Sequence, residues 1–168
     1  IRIAAAAIAE MAIGRIGDDT TVNVGQIEGG RASNIVPDYC EVSGELRSFS
    51  HKKALEELAK VEQIFAKEAE KRGGSIEFIR DICYQAYKTD ENESVVKEFQ
   101  KACMACGIKS SLIATFGGSD QNKMSEHGIP GIVMASAMHQ VHSCQEYTEV
   151  SEMAQVAGIV SELLQMKE

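Results

Sequence analysis

The chain has no apolar run long enough to cross a bilayer. Its two longest hydrophobic stretches, Ile1 to Ile13 and Ile129 to Ala137, fall far short of the roughly 20 residues that a spanning helix needs, and Arg2 and Glu10 interrupt the first. Blocks of like charge are missing too. The 25 acidic residues outnumber the 17 basic ones, for a formal net charge of -8, and they are dispersed. Without a basic cluster such a chain has no electrostatic grip on nucleic acid or on an anionic membrane, so an acidic ligand must be met by individual arginines or backbone N–H groups. Nor is there a disulfide framework. Cys40, Cys83, Cys103, Cys106 and Cys144 are odd in number and thinly spread, a usage that fits a reducing cytoplasm. The start shows no basic segment leading into a small-residue cleavage pattern, so no secretory signal is expected.

What the chain does have is the composition of a soluble globular protein, 44% hydrophobic and 25% charged over 168 residues, enough for one ordinary domain or two small ones. The first half reads as an α+β unit. Ile1 to Ile16 carries Ile, Met and Ala at helical spacing, closed by Gly14 and Gly17. Thr20 to Ile27 and Tyr39 to Phe49 alternate apolar and polar residues, as half-buried strands do, and Gly29-Gly30 and its neighbours join them as a wide hairpin. Ser50 caps a helix to about Arg72, with Leu55, Leu58, Val61, Ile64, Phe65 and Ala69 on one face; Gly73-Gly74 ends it, and Ser75 to Tyr84 reads as a strand. The order helix, strand, strand, helix, strand is a ferredoxin-like unit lacking its first strand.

The polar stretch from Lys88 to Ser94 predicts a domain boundary. Beyond it the pattern predicts a helix to Gly107, a strand at 109–115, a helix at 120–127, a strand at 131–136 and a closing helix at 150–166. Alternation of this kind implies an α/β sheet with parallel strands, whose ligands gather at the carboxyl ends of the strands. Gly117-Gly118-Ser119-Asp120 and His142-Ser143-Cys144-Gln145-Glu146-Tyr147 both fall there. Imidazole is a common zinc ligand, so His142 beside a carboxylate reads as part of a metal site, although one histidine cannot hold a metal alone. Cys103-Met-Ala-Cys106 has CxxC spacing but sits within a predicted helix without a second pair, and reads as structural. Cys144 lies two residues from His142, where a thiolate would compete for the same metal.

Several segments together carry a resemblance. Thr21-Val-Asn-Val-Gly25, Gly29-Gly30-Arg31-Ala32-Ser33-Asn34-Ile35-Val36-Pro37, Gly44-Glu45-Leu46-Arg47-Ser48, Gly117-Gly-Ser-Asp120, His142 and Glu146-Tyr147 occur in the order found in the M20 family of dinuclear zinc peptidases and amidohydrolases. Within that family the chain most resembles the peptidase T-like branch. The resemblance covers essentially the whole chain and the C-terminal part of the family's architecture. It implies an incomplete lid or dimerisation domain over 1–87 and the C-terminal segment of the α/β catalytic domain over 88–168.

The resemblance also implies residue roles. His142 matches the family's last zinc ligand, with His139 as a rival better suited to an outer contact. Asn34 and Arg47 match the lid's substrate-binding pair, the guanidinium gripping a terminal carboxylate. Gly117, Gly118 and Ser119 match a substrate-facing turn, Asp120 is expected to cap the next helix, and Glu146 to orient the histidine loop. The other metal ligands, the general base and the remaining catalytic residues are expected outside this chain. The implied activity is that of a cytoplasmic zinc aminopeptidase acting on small, tripeptide-type substrates, with two zinc ions per full-length subunit and a homodimer formed through the lid. The alternatives are an M20 deacylase or carboxypeptidase and a non-catalytic dimerisation module.

Overall fold

The computed structural model describes residues 1–166. The chain divides into two compact units, Ile1–Ala86 and a second that begins at Tyr87. In the first unit the elements run α1 (Arg2–Glu10), β1 (Gly14–Ile16), β2 (Thr20–Gly29), β3 (Cys40–Ser48) and α2 (His51–Lys71). The strands form an antiparallel sheet in the order β1-β2-β3.

Two helices and one sheet face make the core of this unit. Ala4 and Ala7 of α1, Ala69 of α2 and Val22 of β2 are buried there, and the small alanines let α1 and α2 approach closely. Ser50 caps α2 by accepting the Lys53 N–H at 3.4 Å, and Lys67 reaches Glu10 of α1 at 3.1 Å. Glu68 is buried on α2, where Arg72 and Lys71 compensate its charge; an unpaired carboxylate at that depth would be costly.

The hairpin β2–β3 carries a bulge. Val24 pairs with Gly44 and Gln26 with Ser43, so Gly25 is an extra residue in β2. At Gly44 the strands come so close that a Cβ would lie 2.6 Å from the Asn23 carbonyl oxygen. Only glycine fits there.

Two expectations need correction here. The first helix stops at Glu10 rather than Ile16, because Gly14 (φ +95°) and Gly17 (φ +63°) turn the backbone through conformations a helix does not contain, and residues 14–16 pair with Thr20–Val22 instead. The segment 75–84 joins no ladder. Its alternation is visible, with Ile76 and Phe78 partly covered and Ile79 83% exposed, but a periodic pattern names the face a strand would bury and not the neighbour it would pair with.

The second unit contains α3 (Ser94–Ala105), α4 (Asp120–Glu126), β4 (Met138–His139), β5 (Tyr147–Thr148) and α5 (Val150–Gln165). Ala102 and Cys103 of α3 and Ile159 of α5 form its core, surrounded by Phe99, Cys106, Ile108, Met134 and Leu163. The segments predicted as parallel strands at 109–115 and 131–136 run without a ladder, and Ile113 is 82% exposed. The ladder that does form is the two-residue antiparallel pair β4–β5. Thr89 Oγ1 donates to the Gly131 carbonyl at 2.8 Å and so anchors the start of the second of these segments. Among the described residues no helix is long and apolar enough to cross a membrane.

Candidate functional site

Strand periodicity places Glu45 and Arg47 on one face of β3, since alternate residues point the same way. Their cross-strand partners are Asn23 and Thr21, whereas Val22 and Leu46 pair on the face covered by the helices. Arg47 is held by Glu45 through two parallel bonds, Nε to Oε1 at 2.6 Å and Nη2 to Oε2 at 2.9 Å. This is the planar fork-to-fork geometry by which a guanidinium recognises any carboxylate. The Arg47 hydrogen bond holds the Glu45 carboxyl below its usual range, and Glu45 raises the guanidinium in turn. The sequence reading named Arg47 and passed over Glu45; the Glu-x-Arg spacing on a strand was the available signal.

Asn34 is exposed in the turn between β2 and β3, where the Ile35 N–H donates to the Ala32 carbonyl at 3.2 Å. Arg47 is seven positions beyond the start of β3 at Cys40, about 23 Å along an extended strand. The guanidinium engages Glu45.

In the second unit, Gly117, Gly118 and Ser119 form the turn that leads into α4. The Gly117 N–H donates to Thr115 Oγ1 at 3.1 Å, and the Ser119 N–H donates to Asn122 Oδ1 at 2.9 Å. Ser119, not Asp120, is the N-cap; Asp120 occupies the first helical turn, where its charge complements the helix dipole. A Cβ built on Gly117 would meet nothing closer than Thr115 Oγ1 at 3.5 Å. The chain's own packing therefore does not require glycine at this position.

His142 sits at φ +64°, with Ala137 at +61° and Gln140 at +51°; every other described residue with positive φ is a glycine. Each such non-glycine residue costs about 1–2 kcal/mol, and concentrations of this kind of strain are typical of functional loops. The compensation is visible. Glu146 Oε2 accepts the His142 N–H at 2.8 Å, Ser143 Oγ donates to the Gln140 carbonyl at 2.7 Å, and Thr148 Oγ1 donates to the Ala137 carbonyl at 2.6 Å. The imidazole of His142 is exposed. His139 is turned to other work, with its Nε2 2.5 Å from Glu152 Oε2 and its ring stacked on Tyr147.

A metal centre needs three or four converging donors. Among the described residues no group of three or more His, Cys, Asp or Glu side chains provides them. His142 is chemically suited to be one donor of a shared site. Cys103 and Cys106 are committed to the packing of α3 against α5, and burial pushes the Cys103 thiol up, away from the thiolate form a metal needs. Cys144 is exposed in the histidine loop.

Comparison with known proteins agrees with this architecture. Residues 1–73 match the family model of the M20 peptidase dimerisation domain. A Bacillus subtilis protein of uncharacterised function, YqjE, is 33% identical over 165 residues, which is 98% of this chain and 44% of the relative. Among solved structures, the aminopeptidase PepT of Bacillus cereus is 34% identical with a TM-score of 0.84, covering 97% of this chain and 44% of its own. A tripeptidase of Staphylococcus aureus is 29% identical with a TM-score of 0.90, covering 98% and 44%. The YxeP protein of Bacillus subtilis, described as a dinuclear metal-binding peptidase of the M20 family, shares the fold at 17% identity, with a TM-score of 0.72 over 96% of this chain and 44% of its own. The chain thus spans less than half the length of the relatives it matches. Residues 1–73 thus match the peptidase dimerisation domain of the M20 family, and nearly the whole chain shares the fold of the peptidases it matches.

Proposed function

We propose that this chain is the lid and the closing segment of the catalytic domain of a metal-dependent aminopeptidase acting on small peptides. The observation that carries this reading is the likeness, along nearly the whole chain, to an aminopeptidase and a tripeptidase at TM-scores of 0.84 and 0.90. In this reading residues 1–87 form the lid, through which two subunits pair, and residues 88–168 belong to the catalytic domain. Arg47 grips the free carboxylate of a short peptide, with Asn34 as a further polar contact. Gly117 and its neighbours Gly118 and Ser119 form a turn that a substrate backbone approaches closely, which accounts for a glycine that the chain's own packing does not demand.

His142 supplies one imidazole to a two-zinc centre whose remaining ligands lie elsewhere in the whole protein. When bound, such a centre polarises a peptide carbonyl and makes water nucleophilic at neutral pH. The part played by this chain is to present the ring, bind the peptide terminus and shape the approach. The five free thiols fit a reducing cytoplasm.

The test is a substrate panel on the purified whole protein supplied with zinc. Cleavage of tripeptides at the amino end, with N-acetyl amino acids left intact, is expected. Hydrolysis of N-acetyl amino acids with no action on tripeptides would replace the peptidase reading with a deacylase. His142→Ala is expected to lose bound metal and activity while keeping its circular dichroism spectrum.

A further inference from the structure

A two-residue ladder is a weak base for a loop, because an isolated pair of short strands is at best marginally stable. Yet β4–β5 closes a seven-residue loop, 140–146, that holds Gln140 and His142 in left-handed conformations. Something outside the ladder has to steady it. His139 and Tyr147 face each other across the ladder, and their rings stack with centroids 4.7 Å apart and an interplanar angle of 15°. From the same imidazole, Nε2 lies 2.5 Å from Oε2 of Glu152, in the first turn of α5. That helix is fixed in turn by the packing of Ile159 against Ala102 and Cys103 of α3. A continuous set of contacts therefore runs from the core of the second unit through Glu152, His139 and Tyr147 to the base of the loop that presents His142. Next to Tyr147, at the end of the loop, Glu146 accepts the His142 N–H.

We propose that His139 and Glu152 are positioning residues for His142: they pin the base of its loop to α5 and fix the direction in which its imidazole is offered. His139 in this role serves the loop, with its Nε2 engaged by Glu152 and its ring by Tyr147. Tyr147 completes the clamp by fixing the plane of the His139 ring. The inference rests on the reading of His142 as a metal ligand.

The experiment uses the whole protein and two readouts: zinc affinity by competition with a chelator, and hydrogen-exchange protection of the His142 amide in the metal-free protein. His139→Ala and Glu152→Ala are each expected to weaken zinc binding about 10- to 100-fold, the range seen when the outer partners of metal ligands are removed. Each should also lower protection of the His142 amide, while KM stays at the wild-type value once zinc is in excess. Glu152→Gln keeps an acceptor for His139 and is expected to retain more of both properties than Glu152→Ala. Glu152 is partly exposed, so its variants test the idea even if His139→Ala fails to fold. Wild-type zinc affinity and amide protection in Glu152→Ala, with zinc lost in His142→Ala, would overturn the positioning role alone. Full zinc retention in His142→Ala would remove the ligand reading and this inference with it.

Discussion

Glu45 and Arg47, one strand repeat apart on β3, meet through two parallel hydrogen bonds of 2.6 and 2.9 Å. The pair is exposed, and such pairs contribute about 0–1 kcal/mol, so exchanging Glu45 for another carboxylate costs little. The fork is held in the geometry a carboxylate ligand needs before any ligand arrives.

From this it follows that Arg47→Lys, which keeps the charge and loses the planar fork, should raise KM for peptides with a free carboxyl terminus. Charge-assisted bonds of this kind are worth about 1.5–3 kcal/mol, so the rise expected is about 10- to 100-fold, with kcat little changed. Peptides ending in an amide supply the control. An equal effect on both would show that Arg47 does not read the terminal carboxylate.

Glycine has opposite meanings at two positions. Gly44→Ala drives a Cβ against the Asn23 carbonyl oxygen at 2.6 Å and should cost about 1–3 kcal/mol of unfolding free energy, as overpacking does. Gly117→Ala meets only ordinary contact at 3.5 Å and should leave stability within about 0.5 kcal/mol while lowering kcat/KM. Urea unfolding of both variants, with kinetics on the second, decides the matter.

Asp19 pairs with Lys53 at the start of α2, and hydrogen bonding to Lys53 depresses its carboxyl. A depressed carboxyl stabilises the fold above its unfolded pKa, near 3.9, and that contribution disappears as pH falls through the folded value. Asp19→Asn should therefore melt below wild type at pH 6, and the two curves should converge toward pH 2. A gap in melting temperature that persists unchanged at pH 2 would show that the loss is not electrostatic.

Cys103 is buried between α3 and α5. Cys103→Ser places a hydroxyl in an apolar setting and should cost about 1–3 kcal/mol, whereas reductant should leave the melting temperature of the wild type unchanged. A reductant-dependent shift would assign the Cys103 and Cys106 pair a redox role.

Much of the fold was legible because its signals are local. The apolar face and Ser50 cap of α2, the alternation of β2 and β3, and the glycine-rich entry to α4 each depend on residues a few positions apart. What differs depends on distant partners. The segments 75–84, 109–115 and 131–136 carry strand-like patterns but join no ladder, because pairing is a property of two strands and appears in the pattern of neither. The β4–β5 ladder is invisible for a different reason: with two residues a side it has no period, and the left-handed positions of its connecting loop are Gln140 and His142 instead of the glycines that usually announce a turn. At the candidate site, His142 and Arg47 are named by their motifs, whereas the bonds of Glu45 to Arg47 and of Glu152 to His139, and the stacking of Tyr147 on His139, are relations in space.

The extra residue at Gly25 shifts the numbering of the alternation in β2. Up to Val24 the even-numbered residues of β2 face the helices; past the bulge the odd-numbered Ile27 pairs with Val42. Deleting Gly25 would leave Val24 opposite Gly44 and Ile27 opposite Val42, and would remove only the bulge. What the extra residue gives the hairpin is a bend and a stronger twist in β2. The curvature of this hairpin is thus set by one residue, while Glu45 and Arg47, on the unbulged strand, keep their face of the sheet.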